Sequence, residues 1–251
     1  MAALQQHFVL VHGAGHGAWC WYKPRHLLQN SGHKVSCIDL AGAGINLTDP
    51  NTIVSFHDYN QPLSHFMSCL PPNDKVVLVG HSAGGLSLTQ ALHEFTDKIS
   101  VAIFLAAIML PFGFPTEDTT DVVADVHHEM YYGRGPENPP TSLKLKEEFQ
   151  REKLYHMSPV EDSILASMLL RPSPSMAFKT AKFPGGEKVI NKVRRVYIKT
   201  MHDRMAKPRR QENMIRSWPP SEVMTIESDH SPFFSAPKEL CSLILKASAS
   251  I

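Results

Sequence analysis

Three features are scarce in this sequence of 251 residues: an excess of one charge, long apolar runs and closely paired cysteines. Lysine and arginine total 25 against 24 aspartates and glutamates, so the net charge gives no reason to expect attraction to nucleic acid or an anionic membrane. No stretch of about eighteen apolar residues occurs, which argues against a membrane-spanning helix. We therefore expect neither nucleic acid nor a membrane as a partner.

The four cysteines exclude further classes of protein. Cys20, Cys37, Cys69 and Cys241 form no CxxC pair and no metal-ligand spacing. The sequence has no Walker A or H-E-x-x-H motif, and its glycine-rich loops lack dinucleotide-binding spacing. We expect no metal and no organic cofactor. The scattered thiols, and a beginning without a basic and then apolar leader, favour a cytoplasmic location.

Short apolar runs alternate with helix-periodic segments through the first 107 residues. This alternation predicts right-handed crossovers and an α/β fold with a doubly wound, mostly parallel sheet. The runs typical of strands covered on both faces are His7–His12, Lys34–Leu40, Lys75–Gly80 and Ser100–Ala107, and two later ones are Arg194–Thr200 and Glu222–Glu227. The helical segments are Trp21–Gln29, Asp58–Leu70, the stretch after Ser82 and Pro237–Ala247.

The middle of the chain has a different character. Residues 111–187 are rich in proline, methionine, histidine and charge, and they contain no clear strand pattern. We predict helices at Lys144–Leu154 and Pro159–Leu170, the second with Ser158 as its N-cap. The insertion is too long for a simple crossover. We therefore predict a core of residues 1–110 and 188–251 with a helical cap over it, in one structural domain.

The sharpest local signal is the G-x-S-x-G sequence of residues 80–84, with Ser82 at its centre. The motif follows a strand and precedes a helix, which is the setting that a nucleophile elbow requires. A serine on such a turn projects from the carboxyl edge of the sheet at a helix N-terminus, where developing negative charge is stabilised. Ser82 is therefore the candidate nucleophile, although a glycine-rich turn with an incidental serine would show the same pattern.

A serine nucleophile needs a base and an acid that orients the base. His230 follows the last predicted strand and precedes the last helix, so it fits the base. Asp203 follows the preceding strand, where a carboxylate can reach Nδ1 of that histidine. Asp229 is a competing acid, but a side chain next to the histidine in sequence rarely reaches its ring with the required geometry. The predicted triad is Ser82, Asp203 and His230.

An oxyanion hole needs two backbone N–H groups. The residue after the nucleophile, Ala83, is expected to supply one of them. The small residues of the loop after the first strand permit close approach to a substrate, and Ala14 is the second candidate there.

These motifs together resemble the plant methyl esterase and hydroxynitrile lyase family of α/β-hydrolases. The matching stretches are HFVLVHGAGHGAWCWYK, SGHKVSCIDLAGAGIN, KVVLVGHSAGG, KISVAIFLAA, VRRVYIKT and the late SDH, with YHMSPVEDSILASMLLRPS in the insertion. The resemblance implies the same triad and oxyanion donors, a helical cap over an apolar pocket, and a possible homodimer. The sequence departs from the family in MHDRM after the acid strand, in Phe178–Val193 and in SDHSPFF.

Two positions bear on the type of reaction. The resemblance implies that cyanohydrin-cleaving members of the family carry a threonine immediately after the histidine of the first loop. They also carry a lysine immediately after the catalytic histidine. Here these positions hold Gly13 and Ser231, and without that lysine no cation is placed to stabilise departing cyanide. This favours an esterase over a lyase.

The leading hypothesis is a serine-dependent carboxylesterase acting on a methyl ester of a small hydrophobic plant metabolite or hormone. The acid produced would lose CO₂ if it were a β-keto acid. The alternatives are a hydroxynitrile lyase or other lyase that uses the same triad, and a ligand-binding protein with a vestigial site. The candidate substrate-binding residues are His16, Trp19, Leu110 and Phe234.

Overall fold

A six-stranded parallel sheet forms the centre of the computed structural model, which describes residues 5–113, 126–185 and 190–249. Its strands are β1 (His7–Val11), β2 (Lys34–Ile38), β3 (Val76–His81), β4 (Ile99–Leu105), β7 (Arg194–Thr200) and β8 (Glu222–Ile226). The spatial order is β2-β1-β3-β4-β7-β8. The order reverses beside β1, so helices cover both faces. The predicted α/β fold with a doubly wound parallel sheet is confirmed.

The strands read as continuous apolar runs because both faces of the sheet are covered. Every residue of β3 is buried, and all but the second residue of β4 are buried. One face packs against α2 (Phe56–Ser68) and α3 (Gly84–Glu94). The other face packs against α1 (Tyr22–Asn30) and the last helix (Pro237–Ala249). These two apolar layers hold the carboxyl ends of the strands in fixed relative positions.

The segment between β4 and β7 leaves the sheet. The α-helices among its described residues are α4 (Glu147–Leu154), α5 (Val160–Leu169) and α6 (Ser175–Thr180). After β7 come α7 (Pro208–Ser217), α8 (Pro232–Ser235) and α9 (Pro237–Ala249). The division into core and cap stays a prediction, and its boundary at residues 187 and 188 lies outside the described residues.

Two predictions for the insertion are wrong. It contains an antiparallel pair of strands, β5 (His128–Tyr131) and β6 (Ser142–Leu145), so the first residues of the predicted Lys144–Leu154 helix form a strand. Four residues are too few for a strand period to show, and the pairing with a distant segment decides their conformation. Ser158 is not an N-cap either. Helix α5 begins after Pro159, and the Ser158 hydroxyl donates to Asp229 instead.

Candidate active site

Ser82 lies on a strained turn between β3 and α3. Its φ angle is 53°, in the left-handed region that non-glycine residues rarely adopt. The flanking glycines leave room for this turn. A Cβ atom on Gly80 would lie 2.5 Å from Leu88 Cδ1, and one on Gly84 would lie 2.6 Å from the His12 carbonyl oxygen. The spacing of the G-x-S-x-G sequence thus follows from how closely β1, β3 and α3 approach one another.

The turn after β4 holds the Ser82 backbone from both sides. The Ser82 N–H donates to the Leu105 carbonyl at 3.2 Å, and the Ile108 N–H donates to the Ser82 carbonyl at 3.0 Å. Between these two contacts lies Ala106, with a φ of 44°, also in the left-handed region. Both backbone groups of Ser82 therefore have partners while the strained conformation is maintained.

Asp203 and His230 form a buried hydrogen-bonded pair. The Nδ1–H of His230 donates to Asp203 Oδ2 at 2.7 Å, and the Thr200 hydroxyl donates to the same oxygen at 2.8 Å. Asp203 Oδ1 accepts from the Met205 and Ala206 N–H groups. Four donors thus surround this carboxylate, which fixes its orientation. A proton on Nδ1 leaves Nε2 of His230 as the acceptor nitrogen, as a general base requires.

The competing acid, Asp229, points elsewhere. Its Oδ2 accepts from the Met157 N–H and the Ser158 hydroxyl, both at 2.9 Å, and its Oδ1 accepts from the Ser231 N–H at 2.9 Å. Asp229 is fully buried, yet its oxygens face the insertion and its own loop. Asp203 is therefore the carboxylate that contacts the His230 ring.

Two further buried histidines adjoin this pair. The ring centroid of His81 lies 4.6 Å from that of His230, and its Nε2–H donates to the His230 carbonyl at 2.8 Å. Burial lowers the pKa of His81 well below its usual 6.5, and His230 and His16 lower it further. Burial likewise lowers the pKa of His16 to about 3. Both rings are therefore neutral near pH 7 and act as hydrogen-bonding groups, not as cations.

One cavity brings most of the predicted site together. Ser82, His230, Ala14, Ala83 and His16 all line it. The Ala14 and Ala83 N–H groups donate to no other backbone group among the described residues, so both are available to an oxyanion. Much of the remaining wall is apolar: Ile108, Leu143, Leu145, Leu154, Leu170, Phe178, Met205 and Met214.

Three predicted substrate-binding residues do not line this cavity. Phe234 is 1% exposed, with its ring against Phe233, Tyr155 and Trp19. The Trp19 ring also stacks on the His16 ring, with centroids 5.5 Å apart. Leu110 packs against the apolar layer on the α2 and α3 face. Trp19 and Phe234 thus support the first loop from behind, and Leu110 belongs to the core.

Sequence reasoning missed the residues through which the insertion contacts the core. Tyr155 is fully buried, and its hydroxyl donates to His16 Nε2 at 2.8 Å. The Arg171 N–H donates to the Gly15 carbonyl at 2.9 Å, and its guanidinium donates to the Asn46 carbonyl. A tyrosine among polar residues has no distinctive spacing. Its one signal is its place within the YHMSP stretch that resembles the family.

Residues 5–113, 126–185 and 190–249 contain no group of three histidine, cysteine, aspartate or glutamate side chains placed to hold a metal ion. Over the same ranges, no helix is both long and apolar enough to cross a bilayer.

Comparison with known proteins assigns the family. The model of the alpha/beta hydrolase family matches residues 8–243. The chain belongs to this family. Methylesterase 17 of Arabidopsis thaliana is 50% identical over an alignment 254 residues long that covers 98% of this chain and 92% of that protein. Pheophorbidase of Raphanus sativus is 50% identical over an alignment 246 residues long that covers 96% of this chain and 93% of that protein.

The solved structures agree with this α/β-hydrolase assignment. The crystal structure of the methylesterase protein MES16 from Arabidopsis matches with a TM-score of 0.90 at 46% identity, over 98% of this chain and 100% of that chain. Polyneuridine aldehyde esterase matches with a TM-score of 0.86 at 37% identity, over 98% of this chain and 100% of that chain. The resemblance to plant methyl esterases is confirmed, and the chain is a carboxylic ester hydrolase of the methylesterase type.

Proposed function

We propose that this hydrolase cleaves a methyl ester of a small hydrophobic plant metabolite or hormone through an acyl-enzyme. One observation carries the proposal: Ser82 and His230 line the same cavity, and the His230 Nδ1–H donates to buried Asp203 at 2.7 Å. The apolar wall favours a hydrophobic acyl group. The similarity to relatives named as methylesterases supports a methyl ester as the bond that is cleaved.

The proposed mechanism has two half-reactions. The Ser82 hydroxyl attacks the ester carbonyl carbon while His230 Nε2 takes its proton, and the Ala14 and Ala83 N–H groups stabilise the oxyanion. Collapse of the tetrahedral intermediate breaks the acyl–oxygen bond, and the His230 proton leaves with methanol. Water then attacks the acyl-enzyme with His230 again as base, which releases the acid and restores Ser82. Asp203 holds the Nδ1–H tautomer throughout.

The site favours ester hydrolysis over cyanohydrin cleavage. A Cβ atom on Gly13 would lie 2.8 Å from the Ser82 Cβ, so the threonine of cyanohydrin-cleaving relatives does not fit this backbone without a shift. Ser231 occupies the position that corresponds to the lysine of those relatives. A methyl ester whose acid carries a β-keto group would yield CO₂ after hydrolysis, since such acids decarboxylate without the enzyme.

The decisive experiment compares wild type with Ser82→Ala on p-nitrophenyl acetate, and then on a panel of methyl esters assayed for methanol. The variant should lose activity by about 10⁴-fold or more, because removal of the nucleophile leaves only binding and the oxyanion hole. Equal rates for the two proteins would refute the serine mechanism. Hydrogen cyanide release from a cyanohydrin, with esters left intact, would instead support the lyase.

Two further expectations from the sequence remain proposals. We propose that the enzyme is a homodimer and that it acts in the cytoplasm. Light scattering coupled to size exclusion tests the first, with a mass near 28 kDa contradicting it. Imaging of a fluorescent fusion of the full-length protein tests the second.

A further inference from the structure

One short turn of the insertion contacts both loops that carry the proposed catalytic groups. The turn comprises residues 155–158, between α4 and α5, and we call it the clamp. It is held rigidly, because the Ser158 N–H donates to the Tyr155 carbonyl at 3.0 Å. The Arg151 guanidinium donates to the Ser158 carbonyl at 2.7 Å and to the Ser163 hydroxyl at 3.2 Å. Groups at its two ends therefore keep a fixed spacing.

The first end of the clamp reaches the loop after β1 that carries Ala14, which we call the oxyanion loop. Burial raises the pKa of Tyr155 well above 10, so its hydroxyl stays protonated and donates to His16 Nε2 at 2.8 Å. The His16 Nδ1–H in turn donates to the Ala14 carbonyl at 3.1 Å. The proposed oxyanion donor is the N–H of the same residue, Ala14. The tyrosine thus fixes a histidine that restrains this residue's backbone.

The second end reaches the loop of the base. The Met157 N–H and the Ser158 hydroxyl both donate to Asp229 Oδ2 at 2.9 Å. The other oxygen of Asp229 accepts from the Ser231 N–H at 2.9 Å. The carboxylate therefore bridges the residues on either side of His230 and receives the clamp on its outer oxygen. Ser158 and Asp229 are both at least 98% buried, so water does not compete for these contacts.

We propose that the clamp positions the oxyanion loop and the histidine loop relative to each other, with Tyr155 and Ser158 as positioning residues for ester hydrolysis. The contacts end on the two loops that must move least during catalysis, and neither side chain lines the cavity. A group that holds donors where charge develops affects kcat more than substrate binding. This inference rests on the proposed function.

The test uses two variants that each remove only a hydroxyl group. Tyr155→Phe and Ser158→Ala are compared with Tyr132→Phe and Ser167→Ala, whose exposed hydroxyls contact only nearby groups of the insertion. With p-nitrophenyl acetate, each clamp variant should lose about tenfold in kcat with KM within about twofold, as expected for one lost buried hydrogen bond. The controls should retain wild-type values.

A readout without turnover separates the clamp from the chemistry. Hydrogen exchange followed by mass spectrometry should show faster exchange in peptides covering residues 12–17 for Tyr155→Phe and 227–232 for Ser158→Ala. Full kcat in both variants, with only a lower melting temperature, would overturn the proposal and leave a purely structural role. If wild type shows no Ser82-dependent hydrolysis, the proposed function fails, and the exchange data alone then decide for or against the clamp.

Discussion

At the residue scale, Gly13 shows how a missing side chain shapes the site. It lies in the loop after β1, directly against Ser82. A Cβ atom there would lie 2.8 Å from the Ser82 Cβ and 2.9 Å from His81 Nδ1, both closer than normal contacts. The glycine is therefore required by close approach, and even alanine would displace Ser82 or His81.

We expect Gly13→Ala to lower kcat by at least about tenfold and the free energy of unfolding by about 1–3 kcal/mol, since the added methyl group overpacks a rigid site. Ester hydrolysis and urea denaturation measure the two effects. Gly185→Ala is the matched control, because no atom of the described residues lies within 4 Å of a Cβ atom there. Wild-type kcat in Gly13→Ala would show that the loop shifts at no cost.

The two neighbouring aspartates allow a second residue-scale prediction. Asp203→Asn removes the acceptor that holds the His230 Nδ1–H, so kcat should fall by about 10⁴-fold, as in serine hydrolases whose histidine takes the wrong tautomer. Asp229→Asn keeps one carbonyl oxygen for its donors and should cost about tenfold. Steady-state kinetics on one ester compares them. A larger loss for Asp229→Asn would reverse the assignment of the acid.

At the element scale, the turn after β4 supports the strained elbow. Ala106 adopts a left-handed φ of 44° so that Leu105 and Ile108 can bond the two backbone groups of Ser82. Such a conformation costs alanine about 1 kcal/mol and costs a β-branched residue more. The strained turns at Ser82 and Ala106 therefore hold each other in place through these hydrogen bonds.

We expect Ala106→Val to lower the free energy of unfolding by about 2 kcal/mol and to reduce kcat, since it disfavours the turn that holds Ser82. Ala106→Gly adopts this φ without strain and should keep wild-type kcat. Thermal unfolding and ester hydrolysis of both variants check the prediction. If the glycine variant were as slow as the valine variant, the Ala106 methyl group itself would matter, not the backbone.

At the scale of the whole molecule, the buried histidines link folding to pH. Burial lowers the pKa values of His12, His16 and His81 below 6.5. Below pH 6.5 the unfolded chain protonates these groups, while the folded rings stay neutral until the pH reaches their lowered pKa values. Stability is therefore complete above pH 6.5 and falls as the pH drops through this window.

At pH 5.5 His16, whose pKa burial lowers to about 3, should lower the free energy of unfolding by on the order of 1 kcal/mol relative to pH 7.5. Urea denaturation at the two pH values measures the difference. His16→Gln should reduce this difference by the contribution of His16. An identical pH dependence in His16→Gln and wild type would contradict the prediction.

The order of strands and helices, and the candidate residues Ser82 and His230, could be predicted from local pattern, whereas Asp203 was predicted with Asp229 still competing as the acid. Continuous apolar runs occur because both faces of a parallel sheet are buried, and an elbow needs glycines at set positions. These constraints act over a few residues, so they leave a mark in the sequence. The four-residue strands β5 and β6 were missed because their pairing partner, not their own pattern, determines their conformation.

Only the tertiary structure decided which carboxylate reaches the His230 ring, which side chains line the cavity and where Tyr155 and Ser158 bond. Asp203 and Asp229 are equivalent as residue types, and Trp19 and Phe234 are as apolar as any pocket residue. Their roles depend on the directions in which side chains point after segments distant in sequence have packed together. The local sequence thus predicts the turn that carries Ser82. The contacts between the insertion and the core depend instead on how distant segments pack.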